Sequence, residues 1–296
     1  EFSAAANIAT APTGLLIPPS NVMITFSLVS GGTSVAALFM AGYIPGILWG
    51  LACMIVIYIF AMKKGYKSTS SFKGKEKLMV IWQALPSLLM IVIVIGGIIG
   101  GIFTATEGSV VAVVYTLILS LFFYKTIKFK DLPEIFLASA EMTGIIVFLI
   151  GVSSIMSWVM AFTDIPTLVS NALLGISNNK YVIFFIINII LLIVGTFMDM
   201  TPATLIFTPI FLPICQQLGM NVIHFGIMMI FNLCIGTITP PVGTTLFVGV
   251  KVGGTTIEKV IKPLLWYFAA IFAVLMLVTY VPQISLWLPG VMGYIK

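Results

Sequence analysis

The sequence predicts an all-α polytopic membrane protein with inverted-topology repeats, broken helices and a re-entrant hairpin. Three observations predict this class: the composition, the length of the apolar runs and a duplicated Pro-Pro motif. Of the 296 residues, 60% are hydrophobic and only 8% are charged, whereas a soluble domain has about 25% charged residues. A chain with so few charges cannot form a water-soluble surface, so we expect it to lie in the lipid bilayer, with no nucleic-acid partner.

Six apolar runs are long enough to cross or enter a bilayer, since a transmembrane helix needs about 20 residues. Two further apolar regions, 1–29 and 222–250, are each interrupted by a Pro-Pro pair. A short proline-containing segment follows at 203–217, and we expect it to be one arm of a re-entrant hairpin at about 181–217. If 181–198 and 203–217 were two full spans instead of a hairpin, the chain would still return to the same side of the membrane. The six runs are 44–62, 83–103, 108–124, 143–162, 181–198 and 264–282.

Lysines predict the orientation of the chain, because cytoplasmic loops of membrane proteins are enriched in basic residues. All 14 basic residues are lysines, and most fall in three clusters at 63–77, 125–130 and 251–262. The intervening spans allow all three clusters to face the cytoplasm, which leaves the C-terminus on the opposite side. The net charge of +5 is therefore explained by topology. Because the sequence starts at Glu1 without an initiator Met, we expect it to be a fragment of a longer chain.

An internal repeat relates the two Pro-Pro motifs. "GLLIPPSN" at 14–21 aligns with "GTITPPVG" at 236–243 at a shift of 222 residues (240 − 18), and "GGTS" at 31–34 then falls on "GGTT" at 253–256. The span after the first copy ends at a lysine cluster, whereas the span after the second copy starts at one. The two copies therefore have opposite orientations, which is the inverted-topology repeat of secondary transporters. At the same shift, the hairpin that would partner the first copy falls before residue 1.

The Pro-Pro pairs are expected to open the backbone to ligands. A proline removes a backbone donor and clashes with the preceding turn, and unwound backbone in a membrane is tolerated only where it is buried in protein or lines a polar cavity. The freed carbonyl oxygens suit a small cation, and the N-terminus of the following half-helix suits an anion. A kinked packing helix is the structural alternative. Polar residues flank both breaks, and from them we predict substrate contacts at Ser20, Asn21, Thr244 and Thr245.

Two acidic residues, Asp199 and Glu107, are predicted to have different roles. Asp199 in "GTFMDMTPAT" lies between apolar runs, and a carboxylate inside a membrane is a functional candidate by default. It could bind a cation, carry a proton or cap the helix that follows, and these roles are compatible. Glu107 in "TATEGS" is predicted to cap the next helix. An intramembrane aspartyl enzyme would need a second carboxylate beside Asp199, and the sequence offers none at that depth.

Three stretches resemble the large membrane subunit of tripartite ATP-independent periplasmic (TRAP) transporters. They are "GLLIPPSNVMITFSLVSG", "TATEGSVVAVVY" and "GTFMDMTPATLIFTPIFLPICQQLGMNVIHFGIMMIFNLCIGTITPPVGTTLFV". The resemblance extends over all 296 residues, as the C-terminal two-thirds of that subunit, and is greatest to sialic-acid systems. It implies a secondary transporter of the bacterial inner membrane rather than an enzyme. It further implies sodium-coupled, elevator-type uptake of a small organic acid, sialic acid or a similar carboxylate, with Na⁺ as coupling ion and no other cofactor.

The resemblance also implies partners. A periplasmic substrate-binding protein delivers the acid, and a small membrane subunit, sometimes fused to the large one, enlarges a static scaffold. A stand-alone sodium/dicarboxylate symporter and a passive channel are the other transport hypotheses. The resemblance assigns 1–32 and 142–254 to a transport domain and 33–141 and 255–296 to scaffold arms and spans. It places sodium sites at Thr13, Gly14 and Ile17 for the first break, and at Gly195, Asp199, Thr201, Gly236, Thr237 and Thr239 for the second.

Overall fold

The computed structural model describes residues 1–65, 74–177 and 179–295, and every regular element in these ranges is helical. Five of the helices are long and apolar enough to cross a membrane, or six if the bent segment Phe2–Leu16 plus Asn21–Val29 is one broken span. The predicted all-α polytopic membrane fold is confirmed. The helices are α1 Phe2–Thr10, α2 Thr13–Leu16, α3 Asn21–Val29, α4 Val35–Lys64, α5 Gly74–Ile99, α6 Ala105–Ile118, α7 Leu132–Phe162, α8 Ile165–Ile176, α9 Lys180–Phe197, α10 Met200–Gln217, α11 Val222–Thr237, α12 Thr244–Val252, α13 Ile257–Tyr280 and α14 Gln283–Val291.

Several helices are longer than the apolar runs that predict them. Helix α4 begins at Val35 and continues through Pro45, and α13 likewise continues through Pro263. Each proline removes one hydrogen bond without ending its helix. Helix α7 begins at Leu132, before the apolar run at 143–162. Helix α8 lies between the apolar runs 143–162 and 181–198, and Pro166 in its first turn is compatible with a helix start.

The chain forms two compact units, Glu1–Lys64 with Ile150–Lys296 and Gly65–Leu149. The first unit surrounds α11, in which every residue from Ile223 to Thr237 is buried. Helices α2, α3, α4, α9, α10 and α13 all pack against α11, so the second broken helix forms the core of this unit. Such complete burial explains why α11 is apolar on all its faces.

Packing within the first unit repeats at the shift of 222 residues. The shift carries the start of α4, Val35, onto the start of α13, Ile257. Helix α1 packs on α12 while α11 packs on α3, and α1 packs on α13 while α11 packs on α4. The Cys234 thiol lies 3.9 Å from the Pro12 carbonyl oxygen, and these two positions are also 222 apart. Reciprocal contacts and a position that meets its own counterpart are what a pseudo-two-fold relation between two repeats produces.

The second unit is built around the pair α5 and α6. The Tyr115 hydroxyl donates a hydrogen bond to the Pro86 carbonyl, 2.8 Å away. At the turn before α6, the Thr104 amide donates to the Glu107 carboxylate at 2.8 Å, and the Glu107 amide donates to the Thr104 hydroxyl at 3.2 Å. This reciprocal capping box confirms the predicted role of Glu107.

The compact units do not share their boundaries with the predicted domains. Helix α4, assigned to the scaffold with 33–141, lies in the first unit and packs on α1, α2 and α3. Helix α13, assigned to the scaffold with 255–296, packs on α1 and α11 in the same unit. The predicted boundaries at 32 and 254 thus separate helices that share one core. Which helices move during transport stays a prediction.

Candidate cation and substrate site at the helix breaks

The second break arises because two prolines cannot donate hydrogen bonds. In a continuous helix, the amides of residues 240 and 241 would bond the carbonyls of Gly236 and Thr237, and both residues are prolines. The Thr239 amide bonds the Gly236 carbonyl at 3.0 Å instead, and no amide of the described residues bonds the Thr237 carbonyl. Helix α11 therefore ends at Thr237, and α12 starts at Thr244.

The hairpin formed by α9 and α10 meets this break directly. A Cβ built on Gly236 would collide with the carbonyl group of Gly195, and a Cβ on Gly195 would lie 3.2 Å from the Gly236 Cα. Two glycines are therefore required for the backbones to approach this closely. The residue after Gly195 is also in contact with the break, because the Thr196 carbonyl accepts a hydrogen bond from the Val242 amide at 3.1 Å. The break and the hairpin are thus joined through their backbones.

The turn of the α9–α10 hairpin lies at the same depth along the helices as the second break. Gly195 lies 15 residues after the start of α9 and Gly236 lies 14 after the start of α11 (195 − 180 and 236 − 222), so both are about 21–23 Å along their helices. Asn188, two turns before Gly195, accepts a hydrogen bond from Asn232, one turn before Gly236. Both contacts follow the same order along α9 and α11, so the two helices run parallel. Helix α12 continues for nine residues beyond the break, about 13 Å further. A hairpin that ends at this level has the geometry of a re-entrant element.

Carbonyl oxygens lie close together at the second break, and that of Thr239 accepts from the Gly243 amide at 3.1 Å whereas that of Thr237 has no backbone donor among the described residues. The Thr239 and Thr237 carbonyl oxygens lie 2.7 Å and 3.2 Å from the position that a Cβ on Gly243 would occupy. The Gly195 carbonyl accepts no hydrogen bond from the described backbone. Within the described ranges, no group of three or more His, Cys, Asp or Glu residues could hold a metal ion. The candidate ligands are therefore hard, uncharged oxygens, which fit an alkali cation better than a transition metal.

The first break has the same cause and different neighbours. Pro18 and Pro19 cannot donate to the carbonyls of Gly14 and Leu15, and no amide in the described part of the chain replaces them. Helix α4 covers one side of this break. A Cβ on its Gly42 would collide with the Leu16 carbonyl oxygen, so a glycine lets α4 approach the unwound backbone.

The remaining predicted ion-site residues line the two breaks and the hairpin tip. At the first break the Thr13 hydroxyl donates to the Thr10 carbonyl at 2.6 Å, and the Thr13 carbonyl accepts from the Ile17 amide at 2.8 Å. Asp199 precedes α10 as its N-cap residue, but its side chain accepts no capping hydrogen bond. Its carboxylate is exposed, and Thr201 beside it is half-buried. The structure brings Gly195, Gly236, Thr237 and Thr239 together, and no hydrogen bond in the described ranges joins Asp199 to them.

The predicted substrate residues stand where the half-helices start. Ser20 immediately precedes α3 and is buried, and its hydroxyl has no hydrogen-bond partner among the described residues. Asn21 and Thr244 are exposed at the first positions of α3 and α12, and Thr245 is half-buried. Backbone amides at these two helix starts have no intrahelical acceptor. They can receive the acid group of a substrate.

A buried polar cluster behind the junction was not predicted. The Asn232 amide nitrogen donates to the side-chain oxygen of Asn188 at 2.8 Å and to its carbonyl at 2.9 Å. The Asn188 amide nitrogen donates to the Thr279 hydroxyl at 3.1 Å. These bonds tie α9, α11 and α13 together. Single polar residues inside the runs "FFIINIILL" and "MIFNLCIG" are the signal that could have found the cluster.

A cavity of about 600 Å³ lies beside the second break, between α9, α11 and α13. Its walls include Pro240, Pro241 and Thr239, and most of its other lining residues are aliphatic or aromatic. An organic acid would lose its hydration there without gaining polar partners. The cavity is therefore a poor candidate for the substrate site, although it adjoins the break.

Broken helices whose open carbonyls meet a hairpin tip are the architecture of a secondary transporter. The family model for "Tripartite ATP-independent periplasmic transporter, DctM component" matches residues 1–284. The chain belongs to this family, as the sequence motifs predicted, and it is therefore a transporter component rather than an enzyme.

Three relatives indicate how far the similarity extends. An uncharacterized protein, YgiK of Salmonella typhimurium, is 54% identical over 97% of this chain and 66% of its own length. The isethionate TRAP transporter permease protein DctMQ of Oleidesulfovibrio alaskensis is 38% identical over 98% of the chain and 46% of its own length. The sialic acid TRAP transporter large permease protein SiaM of Vibrio cholerae is 34% identical over 99% and 69%. The chain thus spans just under two thirds of YgiK and less than half of DctMQ.

Proposed function

We propose that the protein of which this chain is part takes up a small organic acid by sodium-coupled secondary active transport. The observation that carries the proposal is the backbone contact between Gly195 on the hairpin and Gly236 at a Pro-Pro break, beside which the Thr237 carbonyl has no backbone donor among the described residues. Such a junction offers a cation site that depends on the hairpin position. Binding of the ion can therefore favour one arrangement of the hairpin over another.

The proposed sodium site at the second break uses backbone oxygens as its main ligands. The Gly195 and Thr237 carbonyls accept no backbone hydrogen bond in the described residues, so both can coordinate a cation without losing an existing partner. Asp199 on the hairpin tip contributes negative charge, and Gly236, Thr239 and Thr201 complete the proposed set. At the first break the proposed ligands are Thr13, Gly14 and Ile17, and the Gly14 carbonyl accepts no backbone hydrogen bond from the part of the chain that the structure describes.

The proposed substrate site lies between the starts of α3 and α12. Ser20 offers a buried hydroxyl without a partner, and Asn21, Thr244 and Thr245 add polar groups at the two helix starts. Helix N-termini favour an anion, which supports an acid as the substrate. The names of two relatives give isethionate and sialic acid, a sulfonate and a carboxylate. These names support an acid group as the shared feature, and sialic acid itself stays a prediction.

The remaining parts of the proposal concern the assembly. We place the protein in the bacterial inner membrane, with the lysine-rich loops cytoplasmic and the C-terminus periplasmic. A periplasmic binding protein delivers the acid, and a small membrane subunit adds to the scaffold. In the proposed elevator mechanism, 1–32 and 142–254 form the transport domain that moves, and 33–141 and 255–296 belong to the static scaffold.

The test is uptake by the full-length protein in proteoliposomes with an imposed sodium gradient. The probe is radiolabelled sialic acid, with isethionate and a C4-dicarboxylate as parallel substrates, in the presence of the small subunit and the binding protein. We expect uptake only with inward sodium, and none after a potassium replacement. Uptake at the same rate without a sodium gradient would overturn the proposal that transport is coupled to sodium. Full uptake without the binding protein would favour a stand-alone symporter.

A further inference from the structure

A second cavity lies at the far end of α4 from the helix breaks. It has a volume of about 240 Å³ and opens between the end of α4 and the first turns of α13. Lys64 is 18 residues beyond Gly46, the last α4 glycine that packs on the first break (64 − 46), or about 27 Å along the helix. The cavity is therefore separate from the proposed transport site. It is lined by Glu1, Phe2, Phe60, Lys64, Lys262, Pro263 and Trp266.

Two lysines from different helices reach this cavity. Lys64 lies in the last turn of α4, where a cation is favoured by the helix dipole. That explanation does not extend to Lys262, which is the sixth residue of α13 and lies far from its C-terminus. Both side chains are exposed, and neither forms a salt bridge with a carboxylate in the described part of the chain. Their ammonium groups are thus available to an external anion.

Aromatic rings form the wall beneath the lysines. The Phe2 and Phe60 rings stack with centroids 4.9 Å apart, and the Trp266 ring meets Phe60 edge-on at 6.1 Å. Trp266 is 62% exposed, and tryptophan is enriched where a membrane meets water. A charged mouth above an aromatic wall matches a molecule with an anionic head and an apolar body.

We propose that this cavity binds a phosphate-bearing anion, supplied by the headgroup of an anionic phospholipid. Lys64 and Lys262 would contact the phosphodiester, and the upper acyl chain would lie along Phe60 and Trp266. With Glu1, the charged side chains that line the cavity sum to +1, which matches the single negative charge of a phosphodiester. Basic pockets between transmembrane helices bind lipid headgroups in this way. The proposal does not depend on which face of the membrane holds the cavity.

The experiment counts lipids retained by the purified full-length protein in native mass spectrometry. The protein is taken from nanodiscs of phosphatidylcholine with one fifth phosphatidylglycerol. The double variant Lys64→Gln/Lys262→Gln is compared with Lys251→Gln/Lys259→Gln, which removes the same charge at exposed positions outside the cavity. We expect at least a fivefold loss of retained phosphatidylglycerol in the first variant and less than a twofold change in the second.

Three results would overturn the proposal: an equal loss in both double variants, retention of phosphatidylcholine as strong as that of phosphatidylglycerol, or displacement of the lipid by millimolar glycerol phosphate. The last would identify a free phosphate as the ligand. If the cavity variant fails to fold, Trp266 provides a second measurement. Brominated phosphatidylglycerol should quench wild-type fluorescence more than that of Trp266→Phe, and equal quenching would contradict the proposal.

Discussion

The two Pro-Pro breaks have the same local cause and different surroundings. At the second break, Gly236 touches the backbone of Gly195 on the hairpin. At the equivalent position of the first break, a Cβ on Gly14 would have no atom of another described residue within 4 Å, its chain neighbours aside. Both breaks leave carbonyl oxygens without a backbone partner. Prolines therefore open the helix in each repeat, but only a second element can convert the opening into a site.

This difference separates two contributions to the candidate site. The unwound carbonyls come from the broken helix and are present in both repeats. The close approach, the extra backbone hydrogen bond from Val242 to Thr196 and the Asp199 carboxylate come with the hairpin. Because the repeats match position by position, exchanging residues between equivalent positions tests each contribution separately.

The largest effect is expected from Gly236→Ala. The added methyl group would overlap the Gly195 backbone, which cannot move as a flexible side chain would, so we expect about 3 kcal/mol of lost stability. The measurement is chemical or thermal unfolding of the full-length protein, together with sodium-driven uptake. The matched variant is Gly14→Ala, for which the described residues place no atom within 4 Å of the added methyl group. An equal loss for Gly14→Ala would contradict the interpretation that the close approach to Gly195 is what distinguishes Gly236 from its equivalent.

A smaller loss is expected from Asn232→Thr, which installs the residue found at the equivalent position 10. Asn232 bonds Asn188 across two helices, whereas the Thr10 hydroxyl bonds only the Ala6 and Asn7 carbonyls of its own helix. A threonine at 232 would leave buried acceptors of Asn188 without donors, at a cost of about 1–3 kcal/mol. Unfolding measurements should give less than about 0.5 kcal/mol for Thr10→Val. Equal costs would show that the Asn pair adds nothing.

Asp199→Asn tests the charge that the hairpin contributes. If the carboxylate helps to bind sodium, its neutral isostere should weaken the apparent sodium affinity about tenfold, or ~1.4 kcal/mol, while the protein stays folded. The control is Asp164→Asn. Asp164 precedes α8 with φ of 53°, a conformation that asparagine also tolerates. The sodium dependence of uptake decides the matter, and an unchanged dependence in Asp199→Asn would remove this residue from the site.

The smallest effect is expected from Thr239→Ile, which installs the residue found at the equivalent position 17. The Thr239 hydroxyl donates to the Ile235 carbonyl at 2.7 Å, and the Thr239 carbonyl accepts from the Gly243 amide at 3.1 Å. The proposed ligand is the carbonyl, which has a second lone pair and which isoleucine retains. We expect the apparent sodium affinity to change by less than about twofold. A larger loss in the same uptake assay would assign the hydroxyl, rather than the carbonyl, to the ion site.

Much of this fold could be predicted from the sequence because membranes impose simple constraints. Apolar length identified the spans, and the Pro-Pro pairs identified both breaks. Helix ends were predicted less well. Pro45 and Pro263 lie inside continuous helices, since a single proline removes one hydrogen bond whereas a Pro-Pro pair removes two in succession. Helix α14 is short, and no apolar run of span length predicted it.

The candidate site could be predicted only in part. The freed carbonyls of Gly14 and Thr237 follow from proline chemistry alone, and Gly195 was placed with them through family resemblance. The contact between Gly195 and Gly236 depends on the path of α9 against α11, which local sequence does not encode. The Asn188 and Asn232 pair was missed because each asparagine, taken alone, resembles an isolated polar residue in an apolar run.

The Pro12 carbonyl and the Cys234 thiol, one repeat apart, occupy a single shared space. The contact joins a side chain of the second repeat to the backbone of the first, and every residue type has a backbone carbonyl. A substitution at residue 12 therefore cannot make room for a larger side chain at position 234. The first repeat thus limits the size of the side chain that the second repeat can hold where the two cross.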